Sequence, residues 1–276
     1  MEQIIFNLSS EFSSGIVKEN FIPVYLYDTV TSTNTKTWEL ISKNISPPFI
    51  VIGKQQTAGK GQRGNIWRSS LGGLYLSMAL NLNSSIESLN HITLWSICGV
   101  VNGLKTLNIP VKIKWLNDLM LEDKKLGGIL CETKIEKNII KNIIIGVGIN
   151  YQNSYPENAI SLNTYFQNYN YYPINNLIDL AKVISIELLK SYQQYLELGI
   201  ENIVNSYNQF MYNRHEKVLL ENNLRGEILG INHQGNLQIK LLSTNASTKI
   251  NLSFENYRIS YHKSIDNLYI VTEISP

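Results

Sequence analysis

The chain of 276 residues is long enough for one large domain, or for one domain followed by a small one. A hydrophobic fraction of 43% supports a core, and 17% charged residues are too few for a disordered, solvated chain. A net charge of +2 lacks the strongly basic face that nucleic-acid binding requires.

The N-terminal "MEQIIFNLSSEFSS" has no basic start followed by an apolar run, so no secretory signal is expected. No apolar stretch reaches the ~20 residues of a membrane span, and the expected compartment is the cytoplasm. Strands are predicted at Val24–Tyr27 and Phe49–Ile52, with a helix over "STNTKTWELISKN" between them, opened by good N-cap residues. After a glycine-rich loop, a strand is expected at Leu74–Leu80. A long helix follows in "SLNHITLWSICGVVNGLKTL", where Leu89, Ile92, Trp95, Val100, Leu104 and Leu107 fall mostly three or four apart, as one buried face requires.

Extended segments then crowd together at Val111–Trp115, Gly128–Thr133 and Ile143–Ile149. Turns at Asn117-Asp118, Asp123-Lys124 and Lys137-Asn138 make this an antiparallel meander. The Tyr- and Asn-rich run "NSYPENAISLNTYFQNYNYYP" at 153–173 reads as a long surface connection. Two helices are expected at about Asn176–Leu198 and Ile200–Tyr212. Short strands in "LRGEILGIN", "LQIKLLS" and "TKINLSF", parted by "HQGN" and "STNAS", predict a small β-barrel or sandwich at the end.

Cys98 and Cys131 sit in apolar segments and read as reduced core residues, since free cysteine is among the most buried types. His91, His215, His233 and His262 are scattered with no ligand spacing, so neither a zinc site nor a nucleophile constellation is expected.

The loop "QQTAGKGQRGNIWRSSLGG" contains Gly59-x-Gly61-x-x-Gly64, the spelling of a dinucleotide-binding fingerprint. That fingerprint needs a helix starting inside it, whose N-terminus receives the pyrophosphate. Here Ser-Ser, Gly-Gly and a strand follow, and no Ser or Thr stands where a P-loop requires it. What remains is a glycine loop between two strands carrying Lys60, Gln62, Arg63 and Arg68, an anion-binding concavity of freed amides and cations. A plain mobile hairpin loop is the alternative. A second cluster, "KIKWLNDLMLEDKKLGGILCE", puts Lys114, Asn117 and Asp118 beside a turn. In the same cluster Lys125 stands before glycines that let a ligand approach the backbone.

With "TSTN" at 31–34, "GKGQRGNIW" at 59–67, "KWLND" at 114–118, "KKLGGIL" at 124–130 and "GVGIN" at 146–150, the chain resembles the biotin protein ligases, with these motifs in the family's order. The resemblance implies an α+β fold: a mixed, largely antiparallel sheet flanked by helices, as in class II synthetases, over residues 1–222. A small SH3-like β-barrel over 223–276 is implied after it. The implied activity joins biotin to ATP as biotinyl-5′-AMP, with Mg²⁺, and passes the biotinyl group to a lysine of a biotin carboxyl carrier protein, such as that of acetyl-CoA carboxylase. Both steps build negative charge on phosphate or carbonyl oxygens, where fixed cations and amide dipoles act most strongly.

By the same resemblance, Ser32, Thr33, Asn34 and Gln56 belong to the biotin pocket, and Gly59, Lys60, Gly61 and Gln62 order over biotin and the adenylate, excluding water. Gly128, Leu130, Gly148 and Ile149 form its apolar floor, a role equally compatible with plain strand packing. Lys125, with Lys60 and Arg63, is the implied catalytic set, Lys125 contacting the biotin carboxylate and the α-phosphate. Lys60, Arg63, Trp67, Lys114, Asn117, Asp118 and Asn150 fall around ATP. Asp118 is the implied Mg²⁺ ligand, or else a turn residue.

Two positions depart from the family. Many members carry arginine where this chain has Lys60 and Gln62, so a bidentate fork and one charge are lost. Leu116 stands where proline is common, which predicts a less rigid turn. About 25 residues precede the first predicted strand, too few for the three-helix DNA-binding module of some members, so no operator binding is expected. A homodimer is compatible with an exposed sheet edge. The rivals are a lipoate–protein ligase, whose Arg-rich block and Gly-Gly-Gly run are not found, a catalytically silent carrier-binding protein, and an NAD oxidoreductase.

Overall fold

In the computed structural model, which describes residues 1–8, 20–242, 248–264 and 266–274, an eight-stranded sheet organises the chain as far as Ile149. Its elements are β1 (Glu2–Asn7), β2 (Phe21–Val30), α1 (Thr33–Ser42), β3 (Phe49–Gln56), β4 (Leu74–Ser85), α2 (Leu89–Thr106), β5 (Lys112–Lys114), β6 (Asp118–Leu121), β7 (Lys124–Glu136) and β8 (Ile139–Ile149). The strands lie in the order β1-β2-β3-β4-β8-β7-β6-β5. Only β2 and β3 pair in parallel, with α1 as their crossover, so the sheet is mixed and largely antiparallel as expected.

The sequence of β3 shows why both sheet faces are covered. Ile50 and Ile52 point into the main core, while Phe49 and Val51 pack with Leu40 of α1 and Ala79 on the other face. A strand buried on two sides reads as a continuous apolar run, which "FIVI" is. The β6–β7 connection is a two-residue turn at Glu122-Asp123, one residue before the expected Asp123-Lys124, and the β7–β8 connection is one at Lys137-Asn138, with φ of 48°, 60°, 51° and 61°. Positive φ at both centres matches the strands' right-handed twist.

Helix α2 corrects the one-face expectation. Ile92, Trp95, Val100 and Leu104 are buried, but so are Leu94, Ile97, Cys98 and Val101, while Leu89 and Leu107 are not. The helix has apolar neighbours on both sides, the sheet and α4 (Leu177–Phe210), so its burial is nearly circumferential. Within α4, Gly199 at φ 75° and ψ −178° interrupts the helix, at the boundary that the sequence placed between two helices.

The 153–173 run is not a surface connection. It contains α3 (Leu162–Tyr169), and Ile160, Leu162, Tyr165 and Phe166 are buried in the main core. Aromatic and aliphatic residues three and four apart outweigh the Asn-rich composition.

The C-terminal strands are β9 (Lys217–Leu219), β10 (Arg225–Ile231), β11 (Leu237–Leu241), β12 (Lys249–Leu252), β13 (Tyr257–Ile259) and β14 (Tyr269–Glu273). They form a six-stranded sheet in the order β12-β11-β10-β9-β14-β13, in which only β9 and β14 run parallel. The "STNAS" turn at 243–247 lies outside the described residues. Both cysteines are free thiols, Cys98 fully buried and Cys131 partly exposed; burial pushes the Cys131 thiol up to about 11 and that of Cys98 higher still.

Candidate active site

The loop between β3 and β4 is tied at its base, and its exposed tip is held through Arg63, which donates to Phe254 O. Thr57 and Ala58 donate backbone N–H groups to the carbonyls of Val30 and Thr31, Gln56 to that of Ser69, and Trp67 to that of Gly59. Beyond these ties Lys60 and Arg63 to Ile66 are exposed. A single 3₁₀ turn at Gln62–Gly64 is the only helical geometry inside the fingerprint, and β4 follows, so no helix dipole is available for a dinucleotide.

Under this loop lies a cavity of 460 Å³. At one end, a chain of hydrogen bonds fixes the polar residues of α1. Trp38 Nε1 and Asn34 Nδ2 donate to the Glu132 carboxylate at 2.7 and 3.1 Å. A carboxylate only accepts, so the Asn34 amide has one orientation, with Oδ1 receiving the Ser77 hydroxyl at 2.6 Å. The Thr33 hydroxyl donates to Gln56 Oε1 at 3.2 Å, and its oxygen lies 2.8 Å from Ser77 Oγ. Gln56 is spent on both sides: Oε1 accepts the Thr33 N–H at 2.7 Å, and Nε2 donates to Ser69 Oγ at 2.7 Å. Ser32 is only 3% exposed, and its hydroxyl has no partner among the described residues.

The floor consists of Gly128 to Leu130 on β7 and Gly146 to Gly148 on β8. Gly146 and Gly148 are required by close approach: a Cβ on the first would stand 2.4 Å from Asn34 Oδ1, and on the second 2.6 Å from Trp67 Nε1. The Trp67 ring thus lies directly on the strand, and its buried Nε1 has no hydrogen-bond partner among the described residues.

The other end is cationic. Lys125 Nζ is 2.6 Å from Asp118 Oδ1 and donates to Tyr261 Oη at 3.0 Å, and Tyr261 donates to Asp118 Oδ2. Lys114 Nζ lies 4.0 Å from the Tyr261 ring centroid. Burial pushes the Lys114 ammonium down to about 8; Asp118 opposes this, and Lys125 and Arg258 add to it. Burial, reinforced by the Asp118 charge, holds the Tyr261 hydroxyl well above its ordinary range, so it stays protonated.

The structure brings together around one cavity Ser32, Thr33, Asn34, Gln56, Lys60, Gly61, Gln62, Arg63 and Trp67 from the first half of the motif set. Asn117, Asp118, Lys125, Gly128, Leu130, Gly148 and Asn150 join them from the second. Three expected residues do not line it. Gly59 is buried against Trp67 O and Ser69 Oγ, Ile149 is in the core, and Lys114 sits behind the Tyr261 ring. Asn150 lines the wall but uses its amide internally, donating to Ile160 O and accepting from Asn153. Asn117 donates to Ile129 O at 2.7 Å. Arg63 turns away from the cavity floor, its guanidinium donating to Phe254 O of the C-terminal sheet region.

Among the described residues Asp118 is the only acidic one lining the cavity, and no three His, Cys, Asp or Glu converge. Both its oxygens are taken by Lys125 and Tyr261, so this arrangement holds no preformed metal cage.

The turn carrying Leu116 is tied at three points, against the expectation of a looser one. Trp115 Nε1 donates to Gly235 O, Tyr207 Oη to Leu116 O, and Asn117 to Ile129 O, all within 2.9 Å. The sequence reading missed Tyr261 and the wall formed by Ser154, Pro156, Asn158 and Ala159. The wall was legible in the apolar spacing of 159–166; for Tyr261 no local signal exists.

A family model described as the biotin/lipoate A/B protein ligase family matches residues 26–150. The bifunctional ligase/repressor BirA of Bacillus subtilis is 30% identical over 252 residues, covering 87% of this chain and 75% of that protein. The biotin–protein ligase of Schizosaccharomyces pombe is 29% identical over 258 residues, 81% of this chain and 40% of its own length. The solved structure of the biotin protein ligase from Aquifex aeolicus, in complex with biotin and ATP, has the same fold. Its TM-score is 0.64 at 23% identity, over 91% of this chain and 99% of that one.

Proposed function

Since the chain belongs to the biotin protein ligases of the biotin/lipoate A/B protein ligase family, we infer that the cavity under the glycine loop is where it joins biotin to ATP. The protein is an ATP-dependent ligase that activates biotin as biotinyl-5′-AMP and transfers the biotinyl group to a biotin carboxyl carrier protein. The observation that carries the site assignment is the polarity of the cavity: uncharged hydroxyls at the Ser32–Thr33 end, a glycine-rich floor on which Trp67 rests at Gly148, and an ammonium at the Lys125 end.

Biotin has this same order of groups. Its ureido ring offers one acceptor and two donors, which suit the uncommitted Ser32 hydroxyl and the Thr33 oxygen. The thiophene ring and valeryl chain lie along Gly128–Leu130 and Gly146–Gly148. The carboxylate reaches Lys125, whose charge offsets the repulsion between it and the α-phosphate. A carboxylate oxygen then attacks that phosphorus, the bond to the leaving pyrophosphate breaks, and an acyl-adenylate forms. In the second step a lysine amine of the carrier attacks the acyl carbon and AMP leaves. Lys125 acts by electrostatics in both, the kind of fixed charge worth most in a water-excluded site. Lys60 and Gln62 close over the adenylate and shield it from water, while Arg63 ties the loop to Phe254 O. The Trp67 ring lies 5.5 Å from the Lys125 ammonium and walls this part of the cavity.

Asn34 and Gln56 hold the hydroxyls in place, and Asn117, Asp118 and Asn150 border the nucleotide, with the Lys114 charge behind the Tyr261 ring. Asp118 is the side chain that would hold a Mg²⁺ ion accompanying the nucleotide, and the ion would supply positive charge to offset that of the phosphates. The C-terminal sheet is assigned as an SH3-like unit. The division falls a few residues before 222, because β9 already pairs with β10 and β14. A carrier belonging to acetyl-CoA carboxylase or a related carboxylase and a cytoplasmic location complete the reading; a homodimer is compatible with it.

The test is biotin-dependent pyrophosphate release from ATP, followed by transfer of labelled biotin to a carrier domain, with lipoate run in parallel. Biotin is expected to support both steps and lipoate neither; equal use of lipoate would overturn the assignment.

A further inference from the structure

Tyr261 lies outside every motif of the sequence and comes from the loop between β13 and β14, yet it reaches the cationic end of the cavity. We propose that Tyr261 is a positioning residue for adenylate formation, delivered by the C-terminal sheet to hold Lys125 and Asp118 in their working arrangement.

The inference rests on the assignment of Lys125 above, and on three features of the Tyr261 contacts. Its hydroxyl joins both members of the ion pair, accepting from Lys125 at 3.0 Å and donating to the Asp118 oxygen that Lys125 does not use. An ammonium has three donors on a flexible stem. With two of them directed to Asp118 and Tyr261, the third is oriented rather than free to wander.

The ring, 4.0 Å from Lys114, covers the second ammonium on the same side. A tyrosine shared by two lysines and an aspartate links Lys114, Lys125 and Asp118, the three charged groups of the cationic end.

The loop is anchored on either side of the tyrosine. Ser260 N donates to Ile270 O at 2.8 Å and its hydroxyl to His262 O at 2.8 Å, while Lys263 pairs with Glu216 at 2.9 Å. The hydroxyl is therefore held at a fixed point relative to the C-terminal sheet, and docking of that sheet becomes a condition for the chemistry.

The test is Tyr261→Phe, which keeps the ring over Lys114 and removes only the oxygen. Pyrophosphate release is followed at varied biotin and varied ATP, beside thermal unfolding. A fall in kcat of about tenfold is expected, the scale of one lost hydrogen bond to a charged group. The KM for biotin and the unfolding midpoint should stay near wild type. In a Lys125→Ala background the same change should have no further effect on kcat, since the hydroxyl acts through that lysine. An unchanged or raised kcat overturns the proposal, the latter because it would make Tyr261 a plug. A drop in unfolding midpoint with both KM values raised also overturns it, as the mark of a structural role alone. Wild-type enzyme that releases no pyrophosphate with biotin would instead bring down the underlying site assignment, and this proposal with it.

Discussion

Gly146→Ala removes no atom of the enzyme and adds one methyl group, yet it should weaken biotin binding from behind the pocket. The new Cβ would stand 2.4 Å from Asn34 Oδ1 and 3.1 Å from Leu130 O. The strand cannot yield, because β8 is paired on both sides, with β4 and β7. Asn34 must therefore swing away, giving up the hydrogen bond from Ser77 at 2.6 Å and the one it donates to Glu132 at 3.1 Å. One neutral hydrogen bond and one to a charged group together amount to about 3 kcal/mol. For a chain of this size that lowers the unfolding midpoint by about 5 °C. Ser77 then loses its acceptor, and the Thr33 oxygen that awaits the ureido ring loses its fixed neighbour. Titration calorimetry with biotin alone should show affinity reduced about tenfold or more, as for one lost hydrogen bond at the ligand. Wild-type affinity together with a wild-type midpoint would refute the claim that the Glu132–Asn34–Ser77–Thr33 chain positions the pocket.

Other expected outcomes follow from the cationic end. Lys125→Ala should keep its circular-dichroism spectrum while kcat/KM for pyrophosphate release falls about 10²–10³-fold, the scale of removing one fixed donor from a developing charge; a loss under fivefold would contradict the role. Lys114 is charged below its pKa of about 8 and neutral above it, so the KM for ATP should rise as pH passes through 8. Lys114→Arg should flatten that rise, and a flat wild-type profile from pH 7 to 9.5 would refute the role. The same depressed pKa means that burying the Lys114 charge costs stability below about pH 8. That cost should fade as pH rises toward the ordinary lysine range, because the unfolded chain then binds the extra proton. Gln62→Arg, which restores a charge at the loop tip, should slow release of the adenylate, measured by chase of labelled intermediate; an unchanged off-rate would show that the loop needs no charge there.

Local pattern was enough to read most of the catalytic sheet. The apolar run "FIVI", the meander turns and the break at Gly199 all follow from nearest-neighbour chemistry, and the absence of a helix after Gly64 excluded a dinucleotide site. What the sequence hid was long-range or compositional. The Asn and Tyr content of 153–173 masked the spacing of Ile160, Leu162, Tyr165 and Phe166, and with it a wall of the cavity. Asn34 and Gln56 look like ligand contacts in the sequence, but their polar atoms are bound to Glu132, Leu130, Ser77, Thr33 and Ser69. Strand β1 was also missed, because its pairing with β2 is visible only once both strands are placed. Tyr261 is separated from Asp118 by 143 positions and belongs to a different sheet, so only the folded chain joins them.

A crystal structure of the enzyme grown with biotin and ATP is the most direct measurement. The bound adenylate is expected with its ureido ring against Ser32 and Thr33 and its phosphate within hydrogen-bond reach of Lys125, beneath the Gly59–Gly64 loop. Density for either substrate outside this cavity, or a phosphate out of reach of Lys125, would contradict the assignment of the site.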